Sequence, residues 1–188
     1  MRVIAFNGSP HPDGNTARLI RKVFEPLEEA GIATEMVVVG GNKVRGCCAC
    51  YSCRKRNLSR CVFDDDPVNG WIEKMEQADG IILASPTYFA NLTTEMKALI
   101  DRGGLCLGEK LYRKVGAPVV VARRGGAMQT YNALMAFFGI KQMIVPMSSY
   151  WNMGYGLTPG DVEKDSEALA TMTNLGRNMA WLLQRLHA

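Results

Sequence analysis

Short apolar runs alternate along this chain with longer stretches in which apolar residues recur at every third or fourth position. Arg2 to Phe6 is one such run and breaks into the turn Asn7-Gly8-Ser9, as a buried strand does. From Asn15 to Ala30, Ala17, Ile20, Val23, Phe24 and Leu27 share one helical face, and Gly31 stops the pattern. Ala33 to Val39 predicts a second strand. Asp64-Asp65-Asp66-Pro67 then predicts a helix start, with carboxylates at the positive end of the dipole, running to about Ala78. Gly80 to Ala84 predicts a third strand, and Thr93, Glu95 and Met96 open a helix through Arg102. Val115 to Ala122, Met128 to Gly139 and Lys141 to Met147 predict strand, helix and strand. A last helix is expected from Asp161 to Leu186, with Ala168, Met172, Leu175, Met179 and Leu182 facing inward.

Strands alternating with helices make the fold class α/β, a parallel sheet covered on both faces. Right-handed crossovers and short connections favour a doubly wound, five-stranded sheet in the order 2-1-3-4-5. In such a sheet ligands bind beyond the carboxyl ends of the strands, where the order reverses. That rule selects three loops: Ser9 to Thr16, Ser85 to Thr93 and Arg123 to Met128.

With 188 residues, of which 47% are hydrophobic, the chain has material for one sizeable core, so a single domain spanning 1–188 is expected. Its apolar runs are strand-sized, which argues against a membrane span, and Met1 to Phe6 is too short for a secretory leader. A reducing cytoplasm is the expected compartment. The net charge of +4 is mild but unevenly placed: Lys43, Arg45, Arg54, Lys55, Arg56 and Arg60 fall within a loop at 40–64 that holds no acid before Cys61. Such a patch suits an acidic protein partner better than nucleic acid, since it is short and carries no recognition helix.

The same loop carries Cys47, Cys50, Cys53 and Cys61 in the spacing C-x2-C-x2-C-x7-C. Three thiols at steps of three, closed by a fourth after a short loop, suit an iron-sulfur cluster. Zinc also takes four thiolates, though usually from two separated C-x2-C knuckles. A loop of metal-free thiols is the third reading. Cys48 is an alternative to Cys47 as a ligand, or a small buried side chain, and Cys106 reads as a small buried residue. Lys and Arg beside four thiolates would offset their charge and tune a cluster's potential. The methionines are assigned to the core and to subunit contacts, without a redox role.

Gly8-Ser9-Pro10-His11-Pro12-Asp13-Gly14-Asn15-Thr16 leads into the first helix and is rich in hydroxyls and glycine. A helix start offers unpaired N–H groups and a favourable dipole to an anion, so the loop reads as a phosphate site. It matches neither G-x-G-x-x-G nor a Walker loop, and it has no Lys. The competing reading is an ordinary turn with capping residues.

Taken together, this G-S-P-x-x-x-G-N-T loop, S-P-T-Y-F-A-N-L-T-T-E-M-K at Ser85 to Lys97 and R-R-G-G at Arg123 to Gly126 resemble the flavodoxin-like, FMN-binding NAD(P)H-dependent reductases. The cysteine run after strand two, followed by an acidic turn, is similar to their iron-sulfur flavoprotein branch, and the likeness covers nearly the whole chain. The resemblance implies that Ser9, His11, Asn15 and Thr16 hold the phosphate of FMN. It implies that Pro86, Thr87, Tyr88, Phe89 and Asn91 line the isoalloxazine, a flat ring that suits aromatic neighbours. Arg123 or Arg124 would place positive charge near the flavin, with Gly125 and Gly126 allowing close backbone approach. Tyr150, Trp151 and Asn152 are read either as a subunit contact near the flavin or as buried in their own domain. The resemblance further implies a 4Fe-4S cluster on Cys47, Cys50, Cys53 and Cys61, a ferredoxin or NAD(P)H as donor, and a homodimer or homotetramer. No acid–base dyad is evident, so the flavin carries the chemistry. Two rivals stand beside this reading: a plain NAD(P)H-dependent FMN or quinone reductase with an empty cysteine loop, and a non-catalytic, zinc-braced module.

Overall fold

The computed structural model describes residues 1–188. Strand β1 (Arg2–Asn7) is followed by helix α1 (Asn15–Glu29), β2 (Ala33–Val38), a one-turn helix α2 (Ser52–Lys55) and α3 (Val68–Gln77). Then come β3 (Gly80–Pro86), α4 (Thr94–Leu107), β4 (Val115–Ala122), α5 (Ala127–Ile140), β5 (Met153–Tyr155) and α6 (Ser166–Leu186). The five strands are all parallel in the order β2-β1-β3-β4-β5, the doubly wound order expected from the sequence. No helix is long and apolar enough to cross a membrane.

Each strand divides its side chains between two cores, because successive residues face opposite sides of a sheet. Ile4, Phe6, Ile81, Leu83 and Val120 pack under α3, α4 and α5 with Trp71, Leu99 and Phe138. Val3, Ala5, Ile82, Val119 and Val121 pack under α1 and α6 with Leu19, Ile20, Leu175 and Met179. Burial on both faces explains why the strands read as continuous apolar runs rather than alternating ones. Two glycines set the closest approaches. A Cβ on Gly40 would lie 2.3 Å from the Gly8 carbonyl oxygen and from the Ser9 carbonyl carbon, so the chain leaving β2 lies directly on the loop that follows β1. A Cβ on Gly176 would lie 2.3 Å from the Val23 carbonyl oxygen and 2.5 Å from the Pro26 ring, which lets α6 close onto α1.

The fifth strand differs from expectation. Lys141 to Met147 is not a strand; Ile144 makes one parallel bridge to Val115, at the start of β4, and the pairing stops there. Pro146 has no N–H to continue a ladder. The chain then leans on α6, with Ser148 Oγ donating to the Thr171 carbonyl and Asn178 Nδ2 to that of Met147. It returns to the sheet at Asn152, whose carbonyl accepts from the Val120 N–H at 2.9 Å.

Three helix boundaries shift for local reasons. The second predicted helix starts at Val68 and not at Asp64, because Asp66 accepts from the Val68 N–H while Asp64 pairs with Arg60 and Asn69. The last helix starts at Ser166, where Asp165 caps the Ala168 N–H at 3.0 Å, and Asp161–Lys164 forms a separate 3-10 turn. On its inner face Leu183 is buried and Leu182 only partly so. Helix α4 continues past Arg102 to Leu107, which brings Cys106 onto its buried face.

The Gly176 contact yields a stability prediction. Gly176→Ala forces a methyl against backbone and a proline ring, and an overpacked core typically loses about 1–3 kcal/mol. Gly139→Ala, on α5 with nothing within 4 Å of a Cβ, is expected to gain up to about 1 kcal/mol. Urea unfolding of the two variants measures both, and equal midpoints would contradict the close α1–α6 approach.

Candidate functional site

The carboxyl ends of β1, β3, β4 and β5 surround one cavity of about 320 Å³. Its walls include Ser9, His11, Asn15 and Thr16 from the loop after β1, Pro86, Thr87 and Tyr88 from the end of β3, and Arg123 after β4. Residues far apart in sequence are thus brought together as the order reversal between β1 and β3 requires.

The floor on the α1 side is a helix start without a side-chain cap, Gly14 standing at the N-cap position. The first helical bond into that turn is from the Arg18 N–H to the Gly14 carbonyl, so the N–H groups of Asn15, Thr16 and Ala17 meet no protein acceptor. Ser9 and Thr16 are nearly buried, and Ser9 Oγ accepts from the His11 N–H at 3.2 Å, which fixes the turn. Three open N–H groups at the positive end of a fifteen-residue helix form a cradle for an anion.

Asn15 plays a different part from the one expected. Its Nδ2 donates to the Thr158 carbonyl at 2.9 Å and its Oδ1 accepts from the Gly160 N–H at 2.8 Å. The amide is therefore committed to the loop after β5, and only the Asn15 backbone N–H faces an incoming anion. That loop supplies wall residues that the sequence did not single out, Gly156, Leu157 and Pro159. Asp161 ties it down by accepting from the Leu157 and Thr158 N–H groups and from the Thr158 hydroxyl. The Thr158 N–H and hydroxyl, with Lys164, hold the Asp161 carboxyl well below the usual carboxylate range. Misplacing the fifth strand hid this loop; the composition Gly-Leu-Thr-Pro-Gly at 156–160 was the available signal.

Beyond Tyr88 the chain makes a tight turn closed by mutual Tyr88 and Asn91 backbone bonds, with Phe89 and Ala90 in the left-handed region. The Thr87 and Tyr88 N–H groups are taken by the Val121 and Asn91 carbonyls, which leaves Phe89 and Ala90 with open amides. The Phe89 side chain is fully exposed and does not line the cavity, and Asn91 Oδ1 accepts from its neighbour Leu92. Gly125 and Gly126 are also outside this cavity. Gly126, at φ +85°, allows Ala90 to approach within 2.9 Å of a Cβ position, so it packs the two loops together. Of the two arginines, Arg123 lines the cavity, and Arg124 lines an adjoining groove with Tyr150 and Trp151. These two aromatic rings meet edge to face at 4.7 Å and are exposed, whereas Asn152 is buried.

The basic loop forms a second, smaller cavity that shares no residue with the first. Cys47, Cys48, Cys50, Cys53 and Cys61 line it, and α4 adds Cys106, so all six cysteines of the chain meet at one place. Backbone conformation supports the sulfurs: Ala49 and Tyr51 are left-handed, the Ala49 N–H donates to Cys47 Sγ at 3.4 Å, and Ser52 donates to the Cys50 sulfur. The Ser52 N–H and hydroxyl lower the pKa of the Cys50 thiol. Cys106 is pushed the other way, up to about 12, by burial and by the neighbouring Cys53 and Cys61 thiols. Burial therefore disfavours its thiolate form. No three side chains converge as a group able to hold a single metal ion.

Sequence reading also missed Arg102, which is 1% exposed and lies in the wall of this second cavity. It pairs with Asp66 and donates to the carbonyls of Arg45 at 3.2 Å and Phe63 at 2.9 Å, one on each side of the cysteine run. Arg45 in turn stacks over the Phe63 ring at 3.8 Å.

Comparison with known proteins agrees with this architecture. Residues 1–158 match the NADPH-dependent FMN reductase family. An iron-sulfur flavoprotein of Methanocaldococcus jannaschii is 38% identical, over 96% of this chain and 96% of the relative. Another from Methanosarcina thermophila is 32% identical over 98% of this chain and 96% of the relative. Among solved structures, a WrbA-like flavodoxin from Agrobacterium tumefaciens superposes with a TM-score of 0.66 at 16% identity, over 98% of each chain, a likeness of fold. The sheet order, the cradle at the start of α1 and these matches together place the chain in the NADPH-dependent FMN reductase family of flavin-dependent oxidoreductases, in its iron-sulfur flavoprotein branch.

Proposed function

We propose that this protein binds FMN in the larger cavity and a 4Fe-4S cluster on Cys47, Cys50, Cys53 and Cys61, and passes electrons between a reduced donor and an acceptor in the cytoplasm. The gathering of that cysteine set around one cavity, in a chain with a flavin-type cavity, carries the reading. When bound, FMN exchanges electrons in pairs or singly and the cluster exchanges them singly, which lets the two convert between carriers.

The residues fit both groups. Open N–H groups of Asn15, Thr16 and Ala17 suit a phosphate, and the loop braced by Asn15 closes the cavity over it. Thr87 and Tyr88 line the part of the cavity left for a flat ring, and Arg123 places a cation there. In the basic loop the Ala49 N–H donates to the Cys47 sulfur, and the Ser52 N–H and hydroxyl favour the Cys50 thiolate. The cysteine cavity as it stands, about 20 Å³, has room for about one water, so the exposed arm carrying Cys48 and Cys50 moves outward to admit a cluster. The exposed Lys43, Arg54, Lys55 and Arg56 around it suit an acidic donor such as a ferredoxin, and NAD(P)H is the alternative donor, stacking on the flavin. The exposed Tyr88, Phe89, Tyr150 and Trp151 at the same edge support assembly as a homodimer or homotetramer.

Absorption of anaerobically purified protein, with iron, sulfide and zinc analysis, tests the reading. Flavin bands with a broad iron-sulfur shoulder are expected. Flavin bands alone would leave a plain FMN reductase, and zinc without iron or flavin a braced binding module. Cys53→Ala is expected to lose iron and the shoulder while keeping FMN; retention of both would sink the ligand assignment.

A second prediction concerns the brace. Asn15→Ala removes two hydrogen bonds worth about 0.5–1.5 kcal/mol each, so the FMN dissociation constant is expected to weaken about tenfold. Fluorescence titration measures it, and unchanged affinity would show that the loop after β5 does not contribute to binding.

A further inference from the structure

Arg102 has one donor without a partner. Its Nη1 and Nη2 are used by Asp66 and by the Arg45 and Phe63 carbonyls, but Nε is buried and meets no acceptor. The guanidinium lies in the wall of the cysteine cavity, against the Cys61 thiol. A buried, unsatisfied donor on a cation is costly, and the cavity this one borders is lined by thiol sulfurs. The side chain is also the one link that joins α4 to both ends of the cysteine loop, through residues 45, 63 and 66.

We propose that Arg102 is a positioning residue for the cysteine-bound cluster, donating its Nε–H to the Cys61 sulfur and thereby raising the cluster's reduction potential. The inference rests on the cluster reading above. One-electron reduction adds one negative charge and no proton to the cluster, and hydrogen bonds to sulfur and nearby positive charge favour that reduced form. Asp66 moderates the effect, because its carboxylate, 5% exposed, pairs with the same guanidinium. The two members of the pair therefore act on the potential in opposite directions.

This opposition supplies a signature that simple structural damage does not have. In Arg102→Gln the donor and cation are lost and the Asp66 carboxylate is left uncompensated, so the potential falls. In Asp66→Asn the single amide oxygen keeps only one of the two backbone bonds that the carboxylate accepts through separate oxygens, from Arg45 and from Val68, and the guanidinium charge is uncompensated, so the potential rises. The experiment is a dithionite titration of anaerobically purified, FMN-loaded protein, following the reduced cluster by electron paramagnetic resonance, with the FMN potential as an internal reference.

We expect the reduced-to-oxidised ratio at a fixed poise to fall about tenfold in Arg102→Gln, a one-electron shift of about 59 mV, and to rise in Asp66→Asn. Arg102→Lys, which keeps the charge on a single-point donor, is expected to recover part of the shift. Because Arg102→Gln strips a buried carboxylate of its partner and is prone to misfold, the rise in Asp66→Asn stands as an independent arm. A loaded cluster with an unmoved potential in either folded variant, or shifts of the same sign in both, would overturn the inference and leave the cluster reading intact. Wild-type protein free of iron would overturn both.

Discussion

Parallel strands all release their chains at the same end of a sheet, and this one geometric constraint organises the molecule. The first loop leaves β1 toward α1 on one face, and the next loop inward, after β3, leaves toward α4 on the other. The crevice between them cannot be filled by either loop, which is why the larger cavity is found there. The cysteine loop also leaves β2 at that end, and then runs to a cavity whose wall from the last turns of α4 is Arg102, Leu105 and Cys106. The loops at the opposite end of the sheet supply no wall of the larger cavity.

Much of this was legible in the chain because burial on both faces makes a parallel strand an unbroken apolar run, and because Gly31 and the periodicity of Ala17 to Leu27 mark the first helix without ambiguity. The fifth strand was not legible. Met143-Ile144-Val145 is as apolar as any strand in the sheet, while the true strand, Met153-Gly154-Tyr155, contains a glycine and an exposed tyrosine. What separates them is Pro146 together with hydrogen bonds to α6, and the latter depend on residues more than twenty positions away. Gly154 is suited to its place because a Cβ there would lie 2.7 Å from Leu19, a fact of tertiary packing that no local pattern expresses.

The site residues divide along the same line. Ser9, His11, Thr16, Thr87, Tyr88 and Arg123 sit on loops whose location follows from strand order, and the structure gathers them in one cavity. Phe89, Asn91 and Gly126 belong to the same motifs but serve turn geometry and loop packing, and Gly125 lies outside the cavity. Arg102 and Cys106 carried no motif at all. Arg102 lay within the expected helix, and Cys106 joins it in the wall of the second cavity because α4 continues past Arg102. A buried arginine in an apolar helix face is itself a signal, since such a cation requires a carboxylate and further acceptors to be tolerated.

Gly40 ties these observations together. The backbone leaving β2 touches the backbone of Gly8 and Ser9 with no side chain between them. The root of the thiol loop and the root of the anion cradle are therefore held together by main-chain atoms alone. Neither root accepts a side chain at Gly40, so the thiol loop starts from the same point on the cradle whatever its later sequence.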